Sequence, residues 1–194
     1  MHFDRGVSRC WRAEGGFSLL EVLIAVVVLA TTAAGLAGLF TIAAVSSRMA
    51  RSQTLAMLLA TDKLEQLRGL TWSFDANGAP VSDTTSDVST QPMTSFGQGL
   101  SASPPDSLQR NTAGYVDYLD QTGRWVGTGP QPVTAAVYLR RWSIQRLPDD
   151  PQNTLVLQVI VTPVAGGASA VHGFGAVRRP ADGLLTSVRT RKGV

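Results

Sequence analysis

Residues 15–30 read Gly15-Gly16-Phe17-Ser18-Leu19-Leu20-Glu21-Val22-Leu23-Ile24-Ala25-Val26-Val27-Val28-Leu29-Ala30, a small pair followed by an apolar run with one carboxylate near its start. From Val22 to Ser47 no ionisable residue occurs. About 20 apolar residues suffice for a helix to cross a hydrocarbon core, so this stretch predicts a membrane-spanning helix. A carboxylate at the edge of such a span is costly to bury and marks a functional group that needs a partner. The residues around Glu21 suggest an amine.

Upstream, Arg5, Arg9 and Arg12 outnumber Asp4 and Glu14. A basic flank before an apolar span favours a cytoplasmic N-terminus, with the C-terminal part sent across. An ordinary secretory signal places its small cleavage residues after the apolar region. Here Gly15-Gly16 comes before it, so a cut at that pair removes the basic leader and leaves the helix on the product. The only cysteine, Cys10, lies in that leader, and the remaining chain has no thiol for disulfide, metal or nucleophilic chemistry.

The ordered run Gly16-Phe17-Ser18-Leu19-Leu20-Glu21-Val22-Leu23-Ile24-Ala25 resembles the cleavage and methylation motif of type IV prepilins and type II secretion pseudopilins. The resemblance covers roughly the first third of the chain. It implies cleavage after Gly16 by a prepilin peptidase, which then methylates the new terminal amine of Phe17. It also implies that Glu21 neutralises the terminal amine of a neighbouring subunit during assembly. Residues four apart share a helix face, so the Phe17 amine and Glu21 can equally meet within one subunit. Ser18 and Glu21 further have the S-x-x-E spacing of a capping box, a local role compatible with assembly.

Beyond Ala30 the apolar and small residues continue without proline, and Gly35 and Gly38 each weaken the helix by about 1 kcal/mol relative to alanine. Many major pilins have a helix-breaking proline where this chain has Gly38. The Gly35-Leu36-Ala37-Gly38-Leu39 run and residues 60–68 look like minor pilins of the PilV type, although the minor pseudopilin I family shares this helix character. Small residues here serve close helix packing or local softening. Past Ser47, Arg48, Arg51, Asp62, Lys63, Glu65 and Arg68 alternate with Leu55, Leu58, Leu59, Leu64 and Leu67. This spacing predicts an amphipathic helix with one apolar stripe and a solvated charged face, stopping at Gly69. A helix from Phe17 to Gly69 spans roughly 80 Å.

Residues 71–112 turn to Ser, Thr, Asp, Gly and Pro and read as surface loop. Strand signals follow: a hairpin of Gly114–Leu119 and Arg124–Val126 around Asp120-Gln121-Thr122-Gly123, a long strand from Val133 to Leu147, Thr154–Thr162, and Ala170–Arg178. In the long strand, Tyr138, Trp142 and Ile144 share a face. The expected fold class is α+β and pilin-like, a long N-terminal transmembrane helix packed on a C-terminal antiparallel sheet. The expected divisions are a leader at 1–16, a transmembrane and assembly half of the helix at 17–47, an amphipathic soluble half at 48–69, a variable loop at 70–112 and a sheet head at 113–194.

Catalytic patterns are missing from the sequence. Past the leader the one histidine is His172, with no nucleophile elbow or zinc-protease pattern beside it. Asp149, Asp150 and Asn153 invite comparison with the calcium loop of a related pseudopilin family, but they lack a calcium-loop pattern and read as a turn. No enzyme activity, cofactor or metal is expected. The net charge of +3 is too mild by itself to imply a nucleic-acid partner. Positive charge nevertheless gathers at Arg140-Arg141-Trp142, Arg146, Arg178-Arg179, Arg189, Arg191 and Lys192. Arg140, Arg141 and Trp142 are therefore candidate nucleic-acid contacts, set against a core position for Trp142.

Two functions follow. The first is a minor pilin or pseudopilin, a structural subunit of a type IV pilus or type II secretion-like filament. The second is a pilin-like DNA-uptake or adhesion component that binds through the head. The partners implied are the prepilin peptidase/methyltransferase, other pilins or pseudopilins, and an inner-membrane assembly platform. The implied location is the bacterial inner membrane, single-pass with a periplasmic head, and then the pilus or pseudopilus.

Overall fold

The structure, a computed structural model, describes residues 16–164 and 182–191. The leader up to residue 15, the expected strand Ala170–Arg178 with His172, and Arg178, Arg179 and Lys192 lie outside the described residues. The chain forms two compact units, Met1–Val45 and Ser46–Val194.

One helix, α1, runs Leu19–Gly69. In the first unit every described residue is exposed, including Val22, Ile24, Val26, Leu29, Leu39 and Phe40. By length and composition the helix can cross a membrane. Its threonine hydroxyls are satisfied internally: Thr31 donates to the Val27 carbonyl at 3.0 Å, Thr32 to Val28 at 2.9 Å and Thr41 to Ala37 at 3.0 Å. Hydroxyls bonded one turn back leave nothing for lipid to solvate. In the apolar segment, Glu21 alone carries charge.

In the second unit the helix buries Ala56, Leu59, Ala60, Lys63, Leu64 and Leu67. This is the expected i, i+3, i+4 stripe with two corrections. Leu58, expected on it, is 61% exposed, while Lys63, expected on the solvated face, is 1% exposed. Lys63 follows Leu59 by four and precedes Leu67 by four, so helical geometry puts it on the apolar face whatever its charge.

The stripe packs on a five-stranded antiparallel sheet in the order β6-β5-β7-β8-β9. Its strands are β5 Val116–Leu119, β6 Trp125–Thr128, β7 Tyr138–Arg146, β8 Thr154–Pro163 and β9 Gly183–Thr190. The register of β7 on β8 runs from Tyr138↔Pro163 to Arg146↔Leu155. Alternation then sends Tyr138, Trp142, Ile144, Leu155, Leu157, Val159 and Val161 to the helix side, where all are buried in one core. On the other face Val116, Tyr118 and Leu139 form a smaller core with Val126, Ala136 and Val164. The expected strand from Val133 starts only at Tyr138, because Val133–Ala136 closes a turn through the Ala136 N–H and the Val133 carbonyl.

Between helix and sheet, the stretch read as surface loop holds two short hairpins. Strands β1 Trp72–Phe74 and β2 Pro80–Ser82 form one, β3 Ser86–Asp87 and β4 Thr94–Ser95 the other. Aspartates build its turns: Asp75 accepts from the Asn77 and Ala79 amides at 2.9 and 2.8 Å, and Asp83 accepts from the Thr85 and Ser86 amides at 3.0 Å each. Side chains that close turns in this way replace strand length as the source of order. Trp72, Val88 and Leu100 anchor the stretch in the main core.

Candidate functional site

The N-terminal site begins outside the helix. Gly16 and Phe17 precede α1, both exposed, with Phe17 at 82%. A Cβ placed on Gly16 meets nothing within 4 Å among the described residues. Ser18 sets the helix start: its Oγ accepts from the Leu20 amide at 3.3 Å and its carbonyl accepts from the Val22 amide at 3.2 Å. That is an N-cap bond to the second helical residue, Leu20, and differs from the expected capping box, in which Ser18 would bond the Glu21 amide. Glu21 then lies in the first turn, where the helix dipole favours an anion. It is exposed, and among the described residues no cation pairs with it. Gly35 and Gly38 likewise have nothing within 4 Å of a would-be Cβ. Whatever packs against them is not in this chain's described residues.

A second constellation lies in the head, where α1 meets the sheet. Asp117 on β5 is 1% exposed and receives Arg140 of β7 as a fork: Nε to Oδ1 and Nη2 to Oδ2, both 2.9 Å. Arg140 Nη1 also donates to the Leu59 carbonyl at 3.0 Å and to Asp62 at 3.1 Å. Lys63 reaches the same carboxylate at 2.9 Å. Its ammonium further donates to Gln66 Oε1 at 2.9 Å and to the Val88 carbonyl, and lies 4.2 Å from the Trp142 ring centroid. Burial pushes the Lys63 ammonium down to about 8, against the attraction of Asp117, which raises it. Asp62, Lys63, Gln66, Thr90, Gln91, Asp117 and Arg140 line a cavity of about 170 Å³ beside the group.

The expected nucleic-acid contacts are placed elsewhere than a surface. Arg140 is 2% exposed, Arg141 4% and Trp142 0%. Arg140 points to the helix, and Arg141, one residue on, points to the other face, donating to Asn111 at 2.9 Å and to the Leu108 carbonyl. Strand alternation splits the pair, and both arginines hold the fold instead of offering charge to a backbone phosphate. The C-terminal arginines are also engaged. Arg189 donates to the carbonyls of Leu67 and Leu70. Arg191 stacks 3.5 Å from the Trp72 ring centroid and donates to the carbonyls of Ser73 and Val81. At the expected turn, Asp150 binds Asn153 Nδ2 at 3.0 Å and Thr154 Oγ1 at 2.9 Å.

Compared with known families, residues 11–37 match the prokaryotic N-terminal methylation motif. That motif supports a relation to type IV prepilins and pseudopilins, and the long helix packed on an antiparallel sheet is consistent with a pilin fold. No curated protein and no solved structure matches the chain. The motif implies processing by a prepilin peptidase and assembly with other pilins, and the apolar helix fits anchoring in the inner membrane.

Proposed function

We propose that the chain is a minor pilin or pseudopilin, a structural subunit of a type IV pilus or type II secretion-like filament. The prepilin peptidase cuts after Gly16 and methylates the Phe17 amine. The product is a single-pass protein with residues 17–47 in the bilayer or filament core and its head in the periplasm. The soluble half of the helix, 48–69, carries the stretch 70–112 and the sheet head 113–194. Gly35 and Gly38 serve as close-packing positions for neighbouring helices, in the manner of PilV-type minor pilins.

The observation that carries this reading is the methylation motif over residues 11–37 lying directly on the exposed apolar segment of α1, whose lone charge up to Ser47 is Glu21. A carboxylate in that position becomes stable on meeting a methylated ammonium at the membrane boundary. A DNA-uptake or adhesive role must use surfaces other than Arg140, Arg141 and Trp142. Glu21→Ala tests the assembly role: cleavage continues while incorporation into filaments falls strongly. Normal incorporation of the variant would contradict it.

A further inference from the structure

Two buried cations share one buried carboxylate in the head. Arg140 alone satisfies Asp117, because its fork binds both oxygens. Arg140 also pairs with Asp62 at 3.1 Å, so Asp117 is not its only counter-charge, and Lys63 Nζ lies 2.9 Å from Oδ2 of Asp117 with both side chains 1% exposed. Its remaining partners are neutral: Gln66, the Val88 carbonyl and the Trp142 ring. Burial that holds the lysine down to about 8 keeps part of it as the free amine near neutral pH, the nucleophilic form. A fixed amine beside a fixed carboxyl in a buried site has the proximity that makes intramolecular reactions fast.

We propose that Lys63 and Asp117 condense to an intramolecular amide that ties α1 covalently to β5. Nζ attacks Cγ of Asp117, and Arg140, already on both oxygens, stabilises the charge of the tetrahedral intermediate. One proton passes from the Lys63 ammonium to Oδ2 before the attack; the Cγ–Oδ2 bond then breaks, and that oxygen leaves as water with the transferred proton and a second one from Nζ. Ammonium plus carboxylate thus gives amide plus water, with no oxidant or cofactor. The cavity lined by Lys63, Asp117, Gln66 and Thr90 receives the water. Arg140 afterwards keeps Asp62 as its counter-charge at 3.1 Å. The bond joins the soluble half of the helix to the sheet, where an assembled subunit would carry load between them.

The test is mass spectrometry of the full chain, purified from membranes and digested after denaturation. The expected result is a branched peptide joining the Lys63 and Asp117 segments, lighter by one water than its two parts. Lys63→Arg and Asp117→Ala should lack it. Leader cleavage and methylation do not alter this readout, so it stands apart from the pilin reading. Recovery of the two segments only as separate, unmodified peptides from wild-type protein means an ion pair alone and overturns the proposal.

Discussion

Arg189 on β9 donates through Nη1 to the carbonyl of Leu67 at 3.1 Å, in the last turn of α1. Its Nη2 takes the Leu70 carbonyl at 2.6 Å. Carbonyls at a helix C-terminus have no partner within the helix, and a cation there also meets the negative end of the dipole. The helix is thus capped by a strand far along the chain, and Gly69 supplies only the stop.

Replacing Arg189 with alanine is expected to destabilise the head by about 2 kcal/mol, the usual scale for charge-assisted hydrogen bonds. Urea unfolding of the wild type and variant measures it. Arg189→Lys should recover part of the loss, because it keeps the charge without the fork.

Asp117→Ala removes the carboxylate that Arg140 and Lys63 share and leaves both cations buried with Asp62 as the remaining counter-charge. Removing one partner of such a group costs about 3–5 kcal/mol. Trp142 lies against Lys63, so tryptophan fluorescence during denaturation reports the change. A variant as stable as the wild type would show that the group contributes nothing to helix docking.

The Asp83 turn predicts an acid limit. Partial burial raises the Asp83 carboxyl, but hydrogen bonds from Ser86 and the Thr85 amide outweigh it and hold the group below its ordinary 3.8. A folded value depressed below the unfolded one gives stability that is present above the unfolded value and lost as pH falls through the folded one. The wild type should therefore hold this contribution at pH 6 and lose it below about pH 3.8. Asp83→Asn, which cannot titrate, should lose less over the same range in paired denaturation series. Equal acid losses in both proteins would contradict the assignment.

Where the determinants are local, the sequence shows them. The unbroken apolar run after Gly16 predicts the helix, Gly69 its end, and the β7 and β8 regions emerge from alternation of Tyr138, Trp142 and Ile144 and from the apolar run Leu155–Val161. The missed features depend on contacts between distant residues. Lys63 reads as solvated until Asp117 and Arg140 arrive from the sheet, and Arg140-Arg141 reads as a basic patch until alternation sends its members to opposite faces. Strand β9 has three large apolar residues, Leu184, Leu185 and Val188, and runs into Arg189, Arg191 and Lys192, so its end reads as a basic tail; its pairing with β8 becomes evident only in the sheet. Residues 71–112 read as surface loop throughout; the turns built by Asp75 and Asp83 and the burial of Trp72, Val88 and Leu100 have no periodic signature.

The most direct test of the account is the N-terminal residue of the mature protein. The full chain, produced with a prepilin peptidase, should begin at Phe17 carrying one N-methyl group, seen by mass spectrometry of the N-terminal peptide. Substituting Gly16 with a bulky residue should leave the leader in place. A mature protein that keeps Met1, or is cut anywhere other than between Gly16 and Phe17, would contradict the central claim.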